Sequence, residues 1–198
     1  ERLKQIVDGL LHFARLGPQV APDTPIDHVL SRALAVVRPR LRERDASLTV
    51  DPVPPGLHVH GNPLHIEQIL VNLLHNAAES RTGALHVRIT CLRRTDGNVL
   101  VRVCDDGPGV APDVQPRIFE PFFTTKPQGV GTGVGLSVCL GIVTAHEGRI
   151  AVRSEPGHGT CFSVALPRHR QAAADPGPAA APAALAPAPG RVLVVDDE

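Results

Sequence analysis

The chain has 198 residues, of which 42% are hydrophobic and 20% are charged, so it has room for one globular domain with extensions but hardly for two domains. Twenty basic residues balance twenty acidic ones, and this balance argues against a nucleic-acid-binding protein, which normally presents a basic surface. No apolar run approaches the ~20 residues that a membrane-spanning helix needs.

Two helices are predicted in the first part of the chain. Residues 1–16 carry apolar side chains at helical spacing, and Gly17-Pro18 follows as a stop signal. We expect an amphipathic helix there, whose packing partner this chain does not contain. Thr24 offers an N-cap and Pro25 suits the first helical position. A second helix is therefore predicted from Ala21 to about Glu43.

Strand-like and helical patterns alternate up to residue 167. Strands are predicted at residues 47–50, 57–60, 85–91, 99–104, 149–154 and 160–166, and helices at 62–80 and 136–148. Residues 105–134 are rich in Gly and Pro, and we expect a loop with one short helical turn. The pattern predicts an α+β fold, an α/β sandwich in which helices cover one face of a mixed sheet.

The C-terminal segment differs in composition. Residues 171–190 are mostly Ala and Pro with a single charge, so we expect a semi-extended linker. Residues 191–198 have the pattern of a buried strand that ends in three acids. The chain starts with Glu1 and contains no Met, and we therefore expect it to be a piece of a longer protein.

The cysteines lack C-x-x-C spacing and are too sparse for a disulfide scaffold. Buried, reduced thiols in a cytosolic protein are therefore expected, without metal or redox chemistry. The four residues are Cys91, Cys104, Cys139 and Cys161.

Two asparagines lie four residues apart on one face of the helix predicted after Pro63. Asn72 and Asn76 stand beside an apolar body of Ile and Leu side chains. Such amides usually satisfy backbone groups in the core, and this is the more common explanation for an isolated pair. Alternatively, an Asn oxygen can bind Mg²⁺, a hard cation that takes few protein ligands together with nucleotide phosphates.

A second polar motif follows the strand predicted at 99–104. Asp105 at a strand end can accept a hydrogen bond from an exocyclic amine such as adenine N6, while Gly107 and Gly109 let the backbone approach a ring closely. An ordinary Asp-Gly turn explains the same residues.

A glycine-rich run, residues 129–137, directly precedes the helix predicted at 136–148. Flexible backbone N–H groups and the positive end of a helix favour phosphate binding. The spacing fits neither a P-loop nor a dinucleotide-binding G-x-G-x-x-G motif. A plain flexible loop is the alternative.

Taken in order, these motifs resemble the ATP-binding catalytic domain of sensor histidine kinases, in the superfamily shared with DNA gyrase and a heat-shock chaperone. The resemblance covers roughly residues 55–167 and implies a Bergerat-type ATP-binding fold. Its parts are an asparagine box at 67–77, a first glycine box at 105–110, a phenylalanine box at 118–126, a second glycine box at 131–137 and a closing strand at 159–167.

The resemblance implies a protein-histidine kinase that uses ATP and Mg²⁺ and transfers the γ-phosphate to a histidine on a dimeric helical hairpin. That acceptor histidine is absent, so no catalytic residue is expected here and the fragment alone should be inactive. The nucleotide-binding residues implied are Asn72, Asn76, Asp105, Gly107, Gly109, Lys126, Gly131, Thr132, Gly133, Val134, Gly135, Leu136 and Thr160, with Asn76 as the metal ligand.

The resemblance also implies a domain organisation. Residues 1–17 would end the dimerisation and phosphoacceptor hairpin, 18–170 would form the ATP-binding domain, 171–190 the linker, and 191–198 the first strand of a truncated receiver domain. A hybrid kinase that forms a homodimer through its hairpin and works with a response-regulator receiver domain is expected, with no nucleic-acid partner. The domain is expected in the cytoplasm, and attachment of the parent protein to a membrane through an upstream region stays open.

One position departs from the family pattern. Several relatives carry a lysine three residues after the second asparagine, where this chain has Glu79. Lys126 is then the nearest basic candidate for the phosphates, although a solvated loop lysine explains it equally well. Residues 113–134 are expected to form a lid anchored by Phe119, Phe122 and Phe123.

Two other functions use parts of the same pattern. A hydrolytic ATPase of the superfamily needs a carboxylate one helical turn before the metal ligand, but Asn72 occupies that position and an amide is a poor base. A non-catalytic nucleotide-sensing scaffold is the other alternative, and the complete set of ATP-binding motifs argues against it.

Overall fold

The computed structural model describes residues 23–81, 83–126, 131–168 and the backbone of 192–194. The helix predicted at 1–16 and the linker at 171–190 lie outside these residues. The helices are α1 (Ile26–Glu43), α2 (Pro63–Ala78) and α3 (Gly135–Ala145), with a 3-10 turn at Gln115–Arg117. The strands are β1 (Asp23–Pro25), β2 (Ala46–Val50), β3 (His58–His60), β4 (Leu85–Arg93), β5 (Val99–Asp105), β6 (Arg149–Ser154), β7 (Thr160–Leu166) and β8 (Val192–Val194).

Six strands form one mixed sheet in the order β2-β4-β5-β7-β6-β8. Strands β2 and β4 run parallel, and every other neighbouring pair is antiparallel. The predicted hairpins β4–β5 and β6–β7 are both present, and β5 joins them by pairing with β7. Strands β1 and β3 form a separate two-stranded sheet beside the start of α1.

The core lies between one face of the sheet and the three helices. On β7, Thr160, Phe162, Val164 and Leu166 are buried, whereas the residues between them are partly exposed, as expected for a sheet covered on one face. Helix α2 contributes an apolar stripe to this core. Its buried residues include Ile66, Ile69, Leu70, Leu73 and Leu74. Each such side chain stabilises the fold by roughly 1.5–3 kcal/mol, and the predicted α+β architecture is confirmed.

The start of α1 differs from the prediction. Thr24 belongs to β1, and its hydroxyl donates a hydrogen bond to the carbonyl of Gly61 at 2.7 Å instead of capping the helix. Pro25 occupies the N-cap position without a side-chain hydrogen bond. The pairing of β1 with β3 holds Thr24 in extended backbone, so a tertiary contact overrides the local capping signal.

The prediction of four reduced thiols is wrong for two of them. Cys104 on β5 lies directly opposite Cys161 on β7, and the two form a disulfide. Only the β5–β7 pairing brings them together, because 57 residues separate them in the chain. Cys91 and Cys139 are buried free thiols. Burial raises the pKa of the Cys91 thiol to about 11, which keeps it protonated and unreactive.

The C-terminal strand β8 pairs with β6 at the edge of the sheet, with Val194 opposite Ala151. The assignment of residues 191–198 to a receiver domain stays a prediction. Across the part of the chain that the structure describes, no helix has both the length and the apolar character required to cross a bilayer.

Candidate functional site

A cavity of about 820 Å³ opens between α2, the ends of β5 and β7, and the chain that leads into α3. This volume is typical of a site for a small-molecule ligand or cofactor. Every nucleotide-binding residue predicted from the sequence lines the cavity except Gly107, which lies next to the lining residues Ser80 and Asp105. These lining residues are Asn72, Asn76, Asp105, Gly109, Lys126, Gly131, Thr132, Gly133, Val134, Gly135, Leu136 and Thr160.

A partly buried carboxylate defines one end of the cavity. Asp105 is the last residue of β5 and lies opposite Thr160 in the β5–β7 register. One of its oxygens, Oδ1, accepts a hydrogen bond from the Gly107 N–H at 2.9 Å. Burial raises the pKa of this carboxyl to about 6, although hydrogen bonds from Gly107 and Thr160 oppose the shift. The strand end therefore presents a fixed, partly desolvated acceptor to a ligand.

Ser80 adds a hydroxyl to the same end of the cavity, and sequence analysis did not identify it. Its Oγ lies beside Gly107 and the Asp105 carboxylate. Within the described residues this buried oxygen has no hydrogen-bond partner. A ligand or a water molecule is expected to satisfy it, since buried hydroxyls are seldom left unpaired.

The two asparagines of α2 have different surroundings. Asn72 Oδ1 accepts a hydrogen bond from Gln68 Nε2 at 2.9 Å, and its Nδ2 donates to the Gly135 carbonyl at 3.1 Å. Asn72 therefore ties α2 to the first residue of α3. Asn76 Oδ1 accepts a hydrogen bond from Lys126 Nζ at 3.1 Å, so this oxygen already contacts a cation.

Lys126 lies in the cavity and not in solvent. Its ammonium also donates to Glu79 Oε2 at 3.0 Å. Of the two explanations left open for this lysine, the structure supports a place at the site. Glu79 and Gln68 were not assigned to the site from the sequence. Their spacing from Asn72 and Asn76 on one helical face was the available signal.

The second glycine box brings backbone donors to the cavity wall. Helix α3 starts at Gly135, and its N-cap residue Val134 makes no side-chain capping hydrogen bond. The first N–H groups of α3 are therefore available to an anion, which the positive end of the helix also attracts. Gly133 has φ of +66°, and a side chain there would overlap the backbone of Phe122, so this approach requires glycine.

The three phenylalanines predicted to anchor the lid have different surroundings. Phe119 is buried and meets Phe162 edge to face, with 6.4 Å between ring centroids. Phe123 packs under the Arg117 guanidinium at 4.4 Å. The prediction is wrong for Phe122, whose side chain is 61% exposed. Its contribution is through the backbone, because its N–H donates to the Gly133 carbonyl at 2.8 Å.

The donor set at the far end of the cavity suits magnesium. The amide oxygen of Asn76 is a hard oxygen ligand of the kind that Mg²⁺ prefers, whereas the carboxylate of Glu79 is already paired with Lys126. Asn76 Oδ1 faces a positive group, Lys126 Nζ. Within the described ranges, His, Cys, Asp and Glu side chains form no cluster of three that could hold a metal, so ligand phosphates would complete the coordination.

Comparison with known proteins agrees with this geometry. Residues 61–170, more than half of the chain, match the family model described as histidine kinase-, DNA gyrase B- and HSP90-like ATPase. The chain belongs to this family of ATPases. All the strands and helices that line the cavity, from α2 to β7, fall within the matched residues.

Among similar members of this ATPase family are two named sensor proteins. The C4-dicarboxylate transport sensor protein DctB of Rhizobium meliloti is 39% identical over 170 residues, which are 84% of this chain and 26% of that protein. The sensor histidine kinase ZraS of Klebsiella oxytoca is 33% identical over 173 residues, 86% of this chain and 37% of that protein. The chain thus spans between a quarter and two fifths of these relatives.

Solved structures of the family show the same fold. Full-length ShkA in complex with AMPPNP superposes with a TM-score of 0.72 at 32% identity, covering 84% of this chain and 36% of that one. The nucleotide-free catalytic domain of histidine kinase ThkA gives 0.68 at 27% identity, covering 76% of this chain and 97% of that one. The described part of the chain therefore has the fold of a histidine kinase catalytic domain.

Replacing Asp105 by asparagine tests the acceptor at the strand end. At pH 8 we expect Asp105→Asn to weaken ATP binding by about 1–3 kcal/mol, because an amide presents a donor where an acceptor is needed. GTP binding should change little. Asp106→Asn, which removes the same charge from the exposed neighbour, is the control. Equal weakening for ATP and GTP would identify Asp105 as a turn residue.

The raised pKa of Asp105 also predicts that the stability of the fold depends on pH. A folded-state pKa of about 6 lies above the ordinary 3.8, so the folded protein binds this proton more tightly than the unfolded chain. The free energy of unfolding should therefore fall as the pH rises from about 4 to about 6. Asp105→Asn should remove this slope, which denaturant titrations across the pH range would measure.

Proposed function

We propose that this chain is the ATP-binding catalytic domain of a sensor histidine kinase, which presents the γ-phosphate of ATP to a histidine on a dimeric helical hairpin. One observation carries the proposal. A single cavity has a partly buried carboxylate at one end, and a lysine ammonium and backbone N–H groups at the other. Asp105 lies at the first end, and Lys126 and the start of α3 lie at the second.

Each end of the cavity suits one part of ATP. Asp105 would accept the adenine amine, with Thr160 and Ser80 beside it. The N–H groups at Gly135 and the Lys126 ammonium would hold the phosphates. Asn76 would bind Mg²⁺, which would neutralise phosphate charge. Transfer to the acceptor then depends on positioning and charge neutralisation more than on acid–base chemistry.

The surroundings of the α2 side chains favour phosphotransfer over hydrolysis. Asn72 stands one turn before Asn76, and both its amide oxygen and its amide nitrogen are bonded to protein groups. Burial alone would raise the pKa of Glu79, but Lys126 and Arg40 together hold it below its ordinary value, so Glu79 is a poor proton acceptor. Neither Asn72, at the position one turn before the proposed metal ligand, nor Glu79 is therefore a suitable base to activate water.

The proposal includes partners and location. The relatives are named as a transport sensor protein and a sensor histidine kinase, and histidine kinase ThkA has been solved in complex with response regulator protein TrrA. We therefore propose a response-regulator receiver domain as the recipient of the phosphoryl group. Homodimerisation through the hairpin and a cytoplasmic setting, where ATP is available, belong to the same proposal.

Phosphotransfer in trans tests the proposed function. Incubated with radiolabelled ATP and Mg²⁺, the chain alone should bind ATP without becoming labelled. A separately supplied helical hairpin that carries an acceptor histidine should then become labelled slowly, because the acceptor is no longer tethered at high effective concentration. The label should be stable to alkali and labile to acid, as phosphohistidine is.

The other outcomes separate the alternatives. Rapid release of inorganic phosphate without a hairpin would favour a hydrolytic ATPase. Tight ATP binding with no labelling of any hairpin supplied would favour a nucleotide-sensing scaffold. Robust acid-labile labelling of the chain alone would place an acceptor histidine within residues 1–198 and contradict the domain organisation proposed for residues 1–17.

A further inference from the structure

Lys126 occupies the position of a cation at the proposed metal ligand. Its Nζ lies 3.1 Å from Asn76 Oδ1 and 3.0 Å from Glu79 Oε2. The lysine and glutamate side chains are only 23% and 21% exposed. This ion pair is therefore partly desolvated and is stronger than a typical surface pair.

Glu79 is held in place from its other side. Its second oxygen, Oε1, accepts a hydrogen bond from Arg40 Nη2 at 3.4 Å, and Arg40 also pairs with Glu43 on the same turn of α1. The carboxylate thus lies between two cations, one from α1 and one from the phenylalanine box. Because Arg40 holds Oε1, the other carboxylate oxygen of Glu79, Oε2, is oriented toward Lys126.

We propose that Glu79 is a positioning residue that keeps Lys126 on the amide oxygen of Asn76 while the nucleotide is absent, so that Lys126 stands in for the metal. When MgATP binds, the lysine gives up this oxygen and moves to the phosphates. The inference rests on the proposed function, because it assigns a role at the same site to a residue that departs from the family pattern.

Electrostatic repulsion requires Lys126 to leave the Asn76 oxygen when Mg²⁺ binds there. Two cations at one amide oxygen would repel each other at a distance of a few ångströms in a partly desolvated cavity. The flexible four-carbon stem of lysine allows its ammonium to move, and a triphosphate offers it new acceptors. As Lys126 moves to the phosphates it leaves Glu79 as well, and the cost of breaking the Lys126–Glu79 contact lowers the observed affinity.

Weakening that contact should raise affinity for the nucleotide. Calorimetric titration with MgAMPPNP is expected to show binding about threefold to tenfold tighter for Glu79→Gln, since a partly buried charged hydrogen bond no longer has to be broken. In a Lys126→Met background the same substitution should change the affinity less than about twofold, because the contact is already absent.

Two further variants separate the contact from simple charge. Glu79→Asp keeps the negative charge but shortens the side chain by one methylene, and it should also tighten binding in the presence of Lys126. Glu147→Gln removes the same charge from an exposed residue outside the cavity lining, and it should leave affinity unchanged.

The remaining outcomes overturn the proposal. Equal tightening by Glu79→Gln with and without Lys126 would mean plain repulsion between Glu79 and the phosphates. Weaker binding would mean that Glu79 helps to hold the metal. No binding of MgAMPPNP by the unmodified chain would instead contradict the proposed function itself. Because Glu79→Asp preserves the charge at this position, it provides the decisive measurement if Glu79→Gln does not fold.

Discussion

Replacing Asn76 by alanine is expected to reduce Mg²⁺-dependent ATP binding at least tenfold while the fold stays intact. The substitution removes the amide oxygen that faces Lys126, and loss of a protein ligand leaves the metal with too few fixed partners. Titration of a fluorescent ATP analogue with Mg²⁺ and with a chelator would measure the effect. With the chelator, the variant should bind nearly as the unmodified chain does.

Asn62→Ala is the matched control for this experiment. Asn62 caps α2 through a hydrogen bond from the Leu64 N–H to its side chain at 2.9 Å, and it lies outside the cavity lining. Loss of the cap should cost about 1 kcal/mol of stability without altering the Mg²⁺ dependence of binding. If Asn76→Ala keeps the full Mg²⁺ dependence, the metal is bound elsewhere.

Gly159→Ala is expected to destabilise the fold by about 3 kcal/mol or more, which would lower the melting temperature by roughly 10 °C. Gly159 precedes β7 with φ of +82°, and an added Cβ would overlap the Asp105 carbonyl oxygen. The backbone of β5 would have to move at Asp105, whose carboxylate we propose as the acceptor for the adenine amine. Nucleotide binding should therefore weaken together with stability, as thermal denaturation and titration would show.

Gly157→Ala separates steric overlap from backbone strain. Gly157 lies in the same turn with nearly the same φ, +81°, but an added Cβ would meet no atom within 4 Å. Only the cost of a left-handed conformation remains, about 1–2 kcal/mol. If both substitutions destabilise the fold equally, close packing against Asp105 is not the reason for glycine at position 159.

Elements governed by local pattern were predictable from the sequence. The alternation on β4, β5 and β7 reflects one covered face of the sheet, and the apolar stripe on α2 reflects its contact with that face. Pairings between distant segments were not predictable. Thr24 is of a residue type that often caps helices, and only the β1–β3 pairing shows why its hydroxyl contacts Gly61 instead.

The same limit applies to the candidate site. Residue type and spacing identified Asp105, Asn76 and the glycines, because these motifs are continuous in the chain. The Lys126–Glu79 contact joins segments 47 residues apart, and no local signal predicts which way a loop lysine turns. The Cys104–Cys161 bond likewise depends on which strands are neighbours in the sheet.

The strand order gives the two ends of the cavity different local stabilities. Asp105 and Thr160 lie on β5 and β7, which have neighbours on both sides, so these residues open only with the fold as a whole. Thr124, Lys126 and Thr132 lie on irregular chain, which opens at lower free energy. If ATP binds as proposed, with its adenine at Asp105 and its phosphates at Lys126, the site for the base is formed before the nucleotide enters and the site for the phosphates is completed afterwards. In that orientation we expect the adenine to be recognised first and the phosphates afterwards.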